Sequence, residues 1–111
     1  MGKKNNPKYD LKKVHEAIKQ GYYRVSNRVR EQVYDDFGWQ TSDLETFFKR
    51  LKKKHFDKQM PMENRPPRDY YGEIPAIYDV YKPDDILGEK VYTHFYFNED
   101  LLIIDSVHEQ N

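Results

Sequence analysis

Between Lys90 and Phe97 a phenol, an imidazole and a second phenol recur at alternate positions, as Tyr92, His94 and Tyr96. In an extended chain such residues share one face, so three groups able to move protons or bind oxygen atoms stand in a row. Histidine titrates near neutral pH when unperturbed. His94 is therefore a candidate general base or acid, and Tyr92 a donor to an anionic oxygen. Lys58 follows the basic run Lys49-Arg50-Leu51-Lys52-Lys53-Lys54-His55 and suits the holding of a phosphate and the stabilising of developing negative charge. Lys52, Lys53, Lys54 and His55 would extend that cationic surface, although a solvated helix end, where lysine complements the macrodipole, is the plainer account of the run. Tyr78 and Tyr81 flank Asp79 on a strand-like stretch and face opposite ways, so one of them could stack on a base. Tyr22, Tyr23, Tyr34 and Tyr70 are expected in ordinary sheet packing, and His15 on a helix surface.

Other chemistries are excluded by what the chain lacks. It has no cysteine, and its four histidines show no HExxH or His-x-His spacing, so no metal site is expected. Its five glycines are scattered, so no phosphate-cradling loop and no cofactor are expected either. The basic start MGKKNNPKYDLKK is not followed by an apolar signal segment, and no run is long enough to span a bilayer, which predicts a cytoplasmic protein. The net charge of zero hides an asymmetry. Residues 1–60 carry fifteen Lys or Arg against eight Asp or Glu, and residues 61–111 carry four against eleven. Either the basic half offers a surface to a polyanion, or the halves neutralise each other across the fold.

The elements that must position these groups follow from periodicity. Residues 1–9 read as a flexible tail and residues 10–111 as a single domain. Asp10 caps a first helix with Leu11, Val14, Ala17 and Ile18 on one side, ended by Gly21. A short strand, Tyr22 to Val25, precedes a second helix capped by Ser26 or Asn27 and closed by Gly38. Thr41 or Ser42 caps a third, where Leu44, Phe47, Phe48 and Leu51 give the strongest helical spacing in the chain. Residues 61–75 hold four of the six prolines and cannot be regular helix. Strands are predicted over Ala76–Lys82, Lys90–Phe97 and Leu101–Val107, the last two joined by a tight connection at Asn98-Glu99-Asp100. Helices followed by strands predict an α+β fold, with the helices packed on one face of a small antiparallel sheet.

Four stretches in this order resemble the MqsR (motility quorum-sensing regulator) toxin family. Gly21 to Ser26 (GYYRVS) is similar to G-x-V-R-T-T, and His55 to Met60 (HFDKQM) to D-F-Y-K-S-M. Tyr78 to Pro83 (YDVYKP) is similar to Q-D-V-Y-R-P. Val91-Tyr92 and Asp100 to Ile104 (DLLII) are similar to V-Y-L-K and D-V-L-I-V. The resemblance runs from Leu11 to the C-terminus apart from a longer Pro-rich loop. It implies a RelE-like ribonuclease fold, a toxin that cuts single-stranded mRNA without a metal, and a cognate antitoxin as partner. Lys58 and Tyr92 match the family's functional positions unchanged. Three positions depart: Tyr78 replaces a glutamine, His94 a lysine, and Ser106-Val107-His108-Glu109 stands for S-F-K-E once Asp105 is treated as an insertion.

Whether His108 joins Tyr92 and His94 depends on hairpin register. A two-residue turn at Glu99-Asp100 sets His94 opposite Asp105 and sends His108 to the core face. A three-residue turn over 98–100 sets His94 opposite Ile104 and puts His108 on the same face as Tyr92. The resemblance implies the latter face for His108. Lys58, Tyr92, His94 and His108 are thus the expected catalytic set, with Lys52, Lys53, Lys54, His55, Tyr78 and Tyr81 at the RNA. A non-catalytic RNA-binding module, or a protein-interaction module using residues 61–75, is the competing expectation.

Overall fold

The structure, a computed structural model, describes residues 6–61 and 77–110. Helix α1 spans Leu11–Gln20, with the Asp10 carboxylate accepting from the Lys12 amide and Gly21 closing the helix at φ 74°. After strand β1 (Tyr23–Val25), helix α2 covers Asn27–Phe37 between a Ser26 cap and Gly38, also at φ 74°. Both glycines take the left-handed conformation that a Cβ disfavours, which is why these helices stop where they do. Helix α3 covers Thr41–Lys49. Its N-cap is Gln40 rather than the expected Thr41 or Ser42, because Asp43 reaches back to accept the Gln40 amide at 3.0 Å.

Strands β2 (Phe56–Pro61), β3 (Ile77–Tyr81), β4 (Val91–Asn98) and β5 (Leu101–Glu109) complete a five-stranded sheet in the order β1-β5-β4-β3-β2. The expected all-antiparallel sheet is corrected at one edge: β1 pairs parallel to β5, Tyr23 with Leu102 and Val25 with Ile104. The chain reaches β5 from β1 through helices and other strands, and that crossover allows parallel pairing. Strand β2 was not expected as a strand. It bulges between Phe56 and Lys58, which breaks the alternation that would mark it, and its stability comes from pairing with β3. Pro61 at its end is tolerated because β2 is an edge strand.

The helices cover one face. Val14, Ile18, Val33, Leu44, Phe47 and Phe48 pack with Phe56, Tyr81, Phe95, Leu102, Ile104 and Val107 in the main core. Each fully buried large side chain contributes roughly 1.5–3 kcal/mol relative to exposure. The opposite face carries a smaller cluster of Tyr78, Tyr96 and Ile103, flanked by Tyr9, Met60 and Leu101, with no helical residue in it. Residues 6–9, expected within a flexible tail, are tied to the sheet. The Lys8 and Tyr9 amides both donate to the buried Asp79 carboxylate at 2.9 Å, and the Tyr9 hydroxyl donates to the Ile77 carbonyl. Most of the Pro-rich segment and Tyr70, within residues 62–76, lie outside the described residues.

Candidate active site on the helix-free face of the sheet

The β4–β5 hairpin decides the site. Asn98 pairs with Leu101, so the turn is the two residues Glu99-Asp100, with Glu99 in the left-handed region at φ 61°. Phe95 pairs with Ile104, but His94 pairs with Ser106 and Tyr92 with His108. Asp105 is therefore an extra residue in β5, a β-bulge. Neither simple register holds. The turn is the short one, yet the bulge brings His108 back onto the face of Tyr92.

The side chains follow. The Tyr92 ring stacks on His108 with centroids 4.7 Å apart and planes at 15°. The Tyr92 hydroxyl lies 2.8 Å from His94 Nδ1, and His94 Nε2 lies 3.0 Å from Asp105 Oδ2. A neutral imidazole carries one ring proton. A carboxylate at Nε2 requires the proton there, which leaves Nδ1 to accept from the Tyr92 hydroxyl. Both nitrogens of His94 are thus occupied within the protein. His108 donates from Nδ1 to the Glu109 carbonyl at 2.9 Å, which leaves its Nε2 for an incoming group.

The electrostatics agree with these roles. Burial, then the nearby Asp57 and Asp105 carboxylates, push the Tyr92 phenol above its ordinary value, so it holds its proton at neutral pH. For Asp105, burial opposes ionisation. The His94 hydrogen bond and charge, a hydrogen bond from Tyr78 and the Arg28 guanidinium outweigh it and hold the carboxyl below the usual range. Asp57 marks the other bulge, in β2, and its carboxylate pairs with Lys82 at 3.7 Å. The Asp57 and Asp105 carboxylates, each carried at a strand bulge, thus both add to the rise of the Tyr92 phenol.

Lys58 pairs with Val80, Val80 with His94 and His94 with Ser106, so Lys58 and His94 stand in one row of the ladder. Two strand spacings put their backbones about 10 Å apart. Lys58 is exposed. Lys52, Lys53 and Lys54 are exposed as well, and lie in and beside the 3₁₀ turn Lys53–His55 that leads into β2. Phe56 pairs with Tyr81 and Tyr81 with Thr93, so this turn meets the sheet at the same end as Tyr92 and His108. His55 faces partly inward. Its Nδ1 accepts the Lys52 amide, and burial, with Lys54 and Lys52 adding to it, lowers its pKa.

The two β3 tyrosines separate as expected, but Tyr81 leaves the proposed surface. It is fully buried in the helix-side core, stacked on Phe95 at 5.5 Å, and cannot contact RNA. Tyr78 lies on the helix-free face with its ring 4.4 Å from His94, mostly buried, so it supports His94 more than it offers a stacking surface. Sequence reasoning did not pick out Asp105, Arg28, Asp57 or Lys82 as site residues. The one available signal was the position of Asp105 as an insertion in an otherwise matching strand.

Among the described residues no group of three or more His, Asp or Glu is placed to hold a metal ion. No described helix is long and apolar enough to cross a membrane. No individual curated protein matches the chain in sequence. The family described as motility quorum-sensing regulator, toxin of MqsA, matches it over residues 6–109, nearly the whole length. With that match spanning every strand and helix that builds the site, the chain belongs to the motility quorum-sensing regulator family of toxins.

Proposed function

We propose that this chain is an endoribonuclease that cleaves single-stranded mRNA by attack of a 2′-hydroxyl on the adjacent phosphate, without a metal ion. Membership in the family makes it a toxin of a toxin–antitoxin system, so a cognate antitoxin is its protein partner. A cytoplasmic setting, where messages are translated, goes with the same proposal. The observation that carries the nuclease reading is the Tyr92 hydroxyl, bonded to His94 while its ring stacks on His108 on the face free of helices.

In the proposed reaction the 2′-hydroxyl proton passes to the Tyr92 oxygen as the phenol proton moves to His94 Nδ1. The 2′-oxygen bonds to phosphorus, and the bond from phosphorus to the 5′-oxygen breaks. Protonated His108 gives its Nε2 proton to the departing 5′-oxygen, leaving a 2′,3′-cyclic phosphate and a 5′-hydroxyl. Lys58 places its charge near the phosphorane oxygens. Acid and base each contribute on the order of 100-fold to 10,000-fold.

The test is incubation of the purified protein with a long RNA in EDTA, followed by mapping of the new 5′ ends. Cleavage that persists in chelator, and falls by about 100-fold or more in Tyr92→Phe and in His108→Ala, is the expected result. Intact RNA that shifts in a gel would instead assign a binding module. Cleavage that stops in EDTA and returns with added divalent ions would overturn the metal-free mechanism.

A further inference from the structure

We infer that Asp105, steadied by Tyr78, is a positioning residue that locks His94 in the tautomer able to accept the Tyr92 proton. This rests on the proposed nuclease reading for its catalytic consequence, but the geometry stands apart from it. Tyr78 and His94 depart from the family pattern and Asp105 stands as an insertion in it, and the structure brings these three together. The Asp105 carboxylate takes the His94 Nε2 proton at 3.0 Å, Tyr78 donates a hydrogen bond to the same carboxylate, and the Tyr78 ring lies against the His94 ring at 4.4 Å.

The bulge makes this possible. In a regular hairpin with the same two-residue turn, Asp105 alone would face His94, and His108 would point into the core. With the bulge, Asp105 and Ser106 together oppose His94, so a carboxylate stays within reach while His108 remains on Tyr92. An imidazole held only at Nδ1 could flip or carry its proton there, and would then donate to Tyr92 instead of accepting from it. An ionised acceptor at Nε2 removes that alternative and also stabilises the imidazolium formed when the phenol proton arrives. The same logic orients the histidine of hydrolytic triads through a buried aspartate. Because both His94 nitrogens are engaged, His94 acts through Tyr92, and Asp105 acts through His94.

The experiment is a long-range proton–nitrogen NMR spectrum of the histidine rings in the full chain, read alongside RNA cleavage. In the wild type His94 is expected as the Nε2–H tautomer. In Asp105→Ala it is expected as an exchanging mixture, with kcat down about tenfold or more and KM within about twofold. Tyr78→Phe is expected to shift both readouts the same way and by less. If Asp105→Ala does not fold, Asp105→Ser, too short to reach His94, replaces it with the same expectations. A wild-type His94 protonated at Nδ1, or an unchanged tautomer in the Asp105 variant whatever its rate, overturns the inference. If the wild type cuts no RNA, the nuclease reading falls while the ring spectra still decide the role of Asp105.

Discussion

Two tyrosines three positions apart on β3 show how far one residue's surroundings control its chemistry. Tyr78 reaches a carboxylate and an imidazole, whereas Tyr81 is sealed between Phe56 and Phe95 with its hydroxyl lacking a partner. Burial, then the Asp79 and Asp10 charges, push the Tyr81 phenol well up, so it stays neutral. An unpaired buried hydroxyl costs desolvation without return, on the order of 1–3 kcal/mol. Tyr81→Phe removes that cost and keeps the ring stack. Urea denaturation is expected to show unchanged or higher stability, by up to about 1 kcal/mol, with RNA binding unaltered. A loss above that size would mean the hydroxyl has a partner that the packing does not reveal.

At the scale of elements, the fold depends on ties between units that are weak alone. β1 has three residues and one neighbouring strand, and the Tyr23 hydroxyl, which donates to Glu45, ties it to α3. Burial first, then that bond and the Glu45 charge, raise the Tyr23 phenol to about 12. A group with a raised pKa in the folded state binds its proton more tightly there than in the unfolded chain. Its contribution is therefore complete below the unfolded value of about 10 and lost as pH rises toward the folded value. Stability curves of the wild type and Tyr23→Phe, followed by urea denaturation, are expected to differ below pH 10 and converge as pH climbs to 12. Parallel curves across that window would show that the tie does not titrate.

At the scale of the whole molecule, direct pairing among the described residues does little to cancel the imbalance of charge between the halves. Among the described residues the Lys82–Asp57 contact is the one lysine or arginine ion pair with a carboxylate, and it is exposed enough to be worth little. Lys52, Lys53, Lys54 and Lys58 are left exposed around the end of the sheet where Tyr92 lies. If they hold phosphates, RNA affinity falls with salt, with a logarithmic slope of about −0.7 for each contact to a single strand. Replacing Lys53 and Lys54 by alanine is expected to flatten that slope by about 1.4 in binding titrations, with little change in thermal stability. An unchanged slope would remove the basic turn from the RNA surface.

Local chemistry made much of this protein legible before any fold was known. Asp10, Ser26, Gly21 and Gly38 fixed two helices almost to the residue, since capping and left-handed glycine are properties of a few neighbouring atoms. Alternation in β4 placed Tyr92 and His94 on one face and Thr93 and Phe95 on the other, because a strand has a period of two wherever it lies. What depended on distant partners was not readable. β2 is a strand because β3 pairs with it, β1 is parallel because β5 is where it lands, and Tyr81 is buried because α-helical side chains cover its face. The site turned on the largest such dependence. A single unpaired residue at position 105 reverses the facing of everything after it, and only the pairing of two strands fixes where that residue is accommodated.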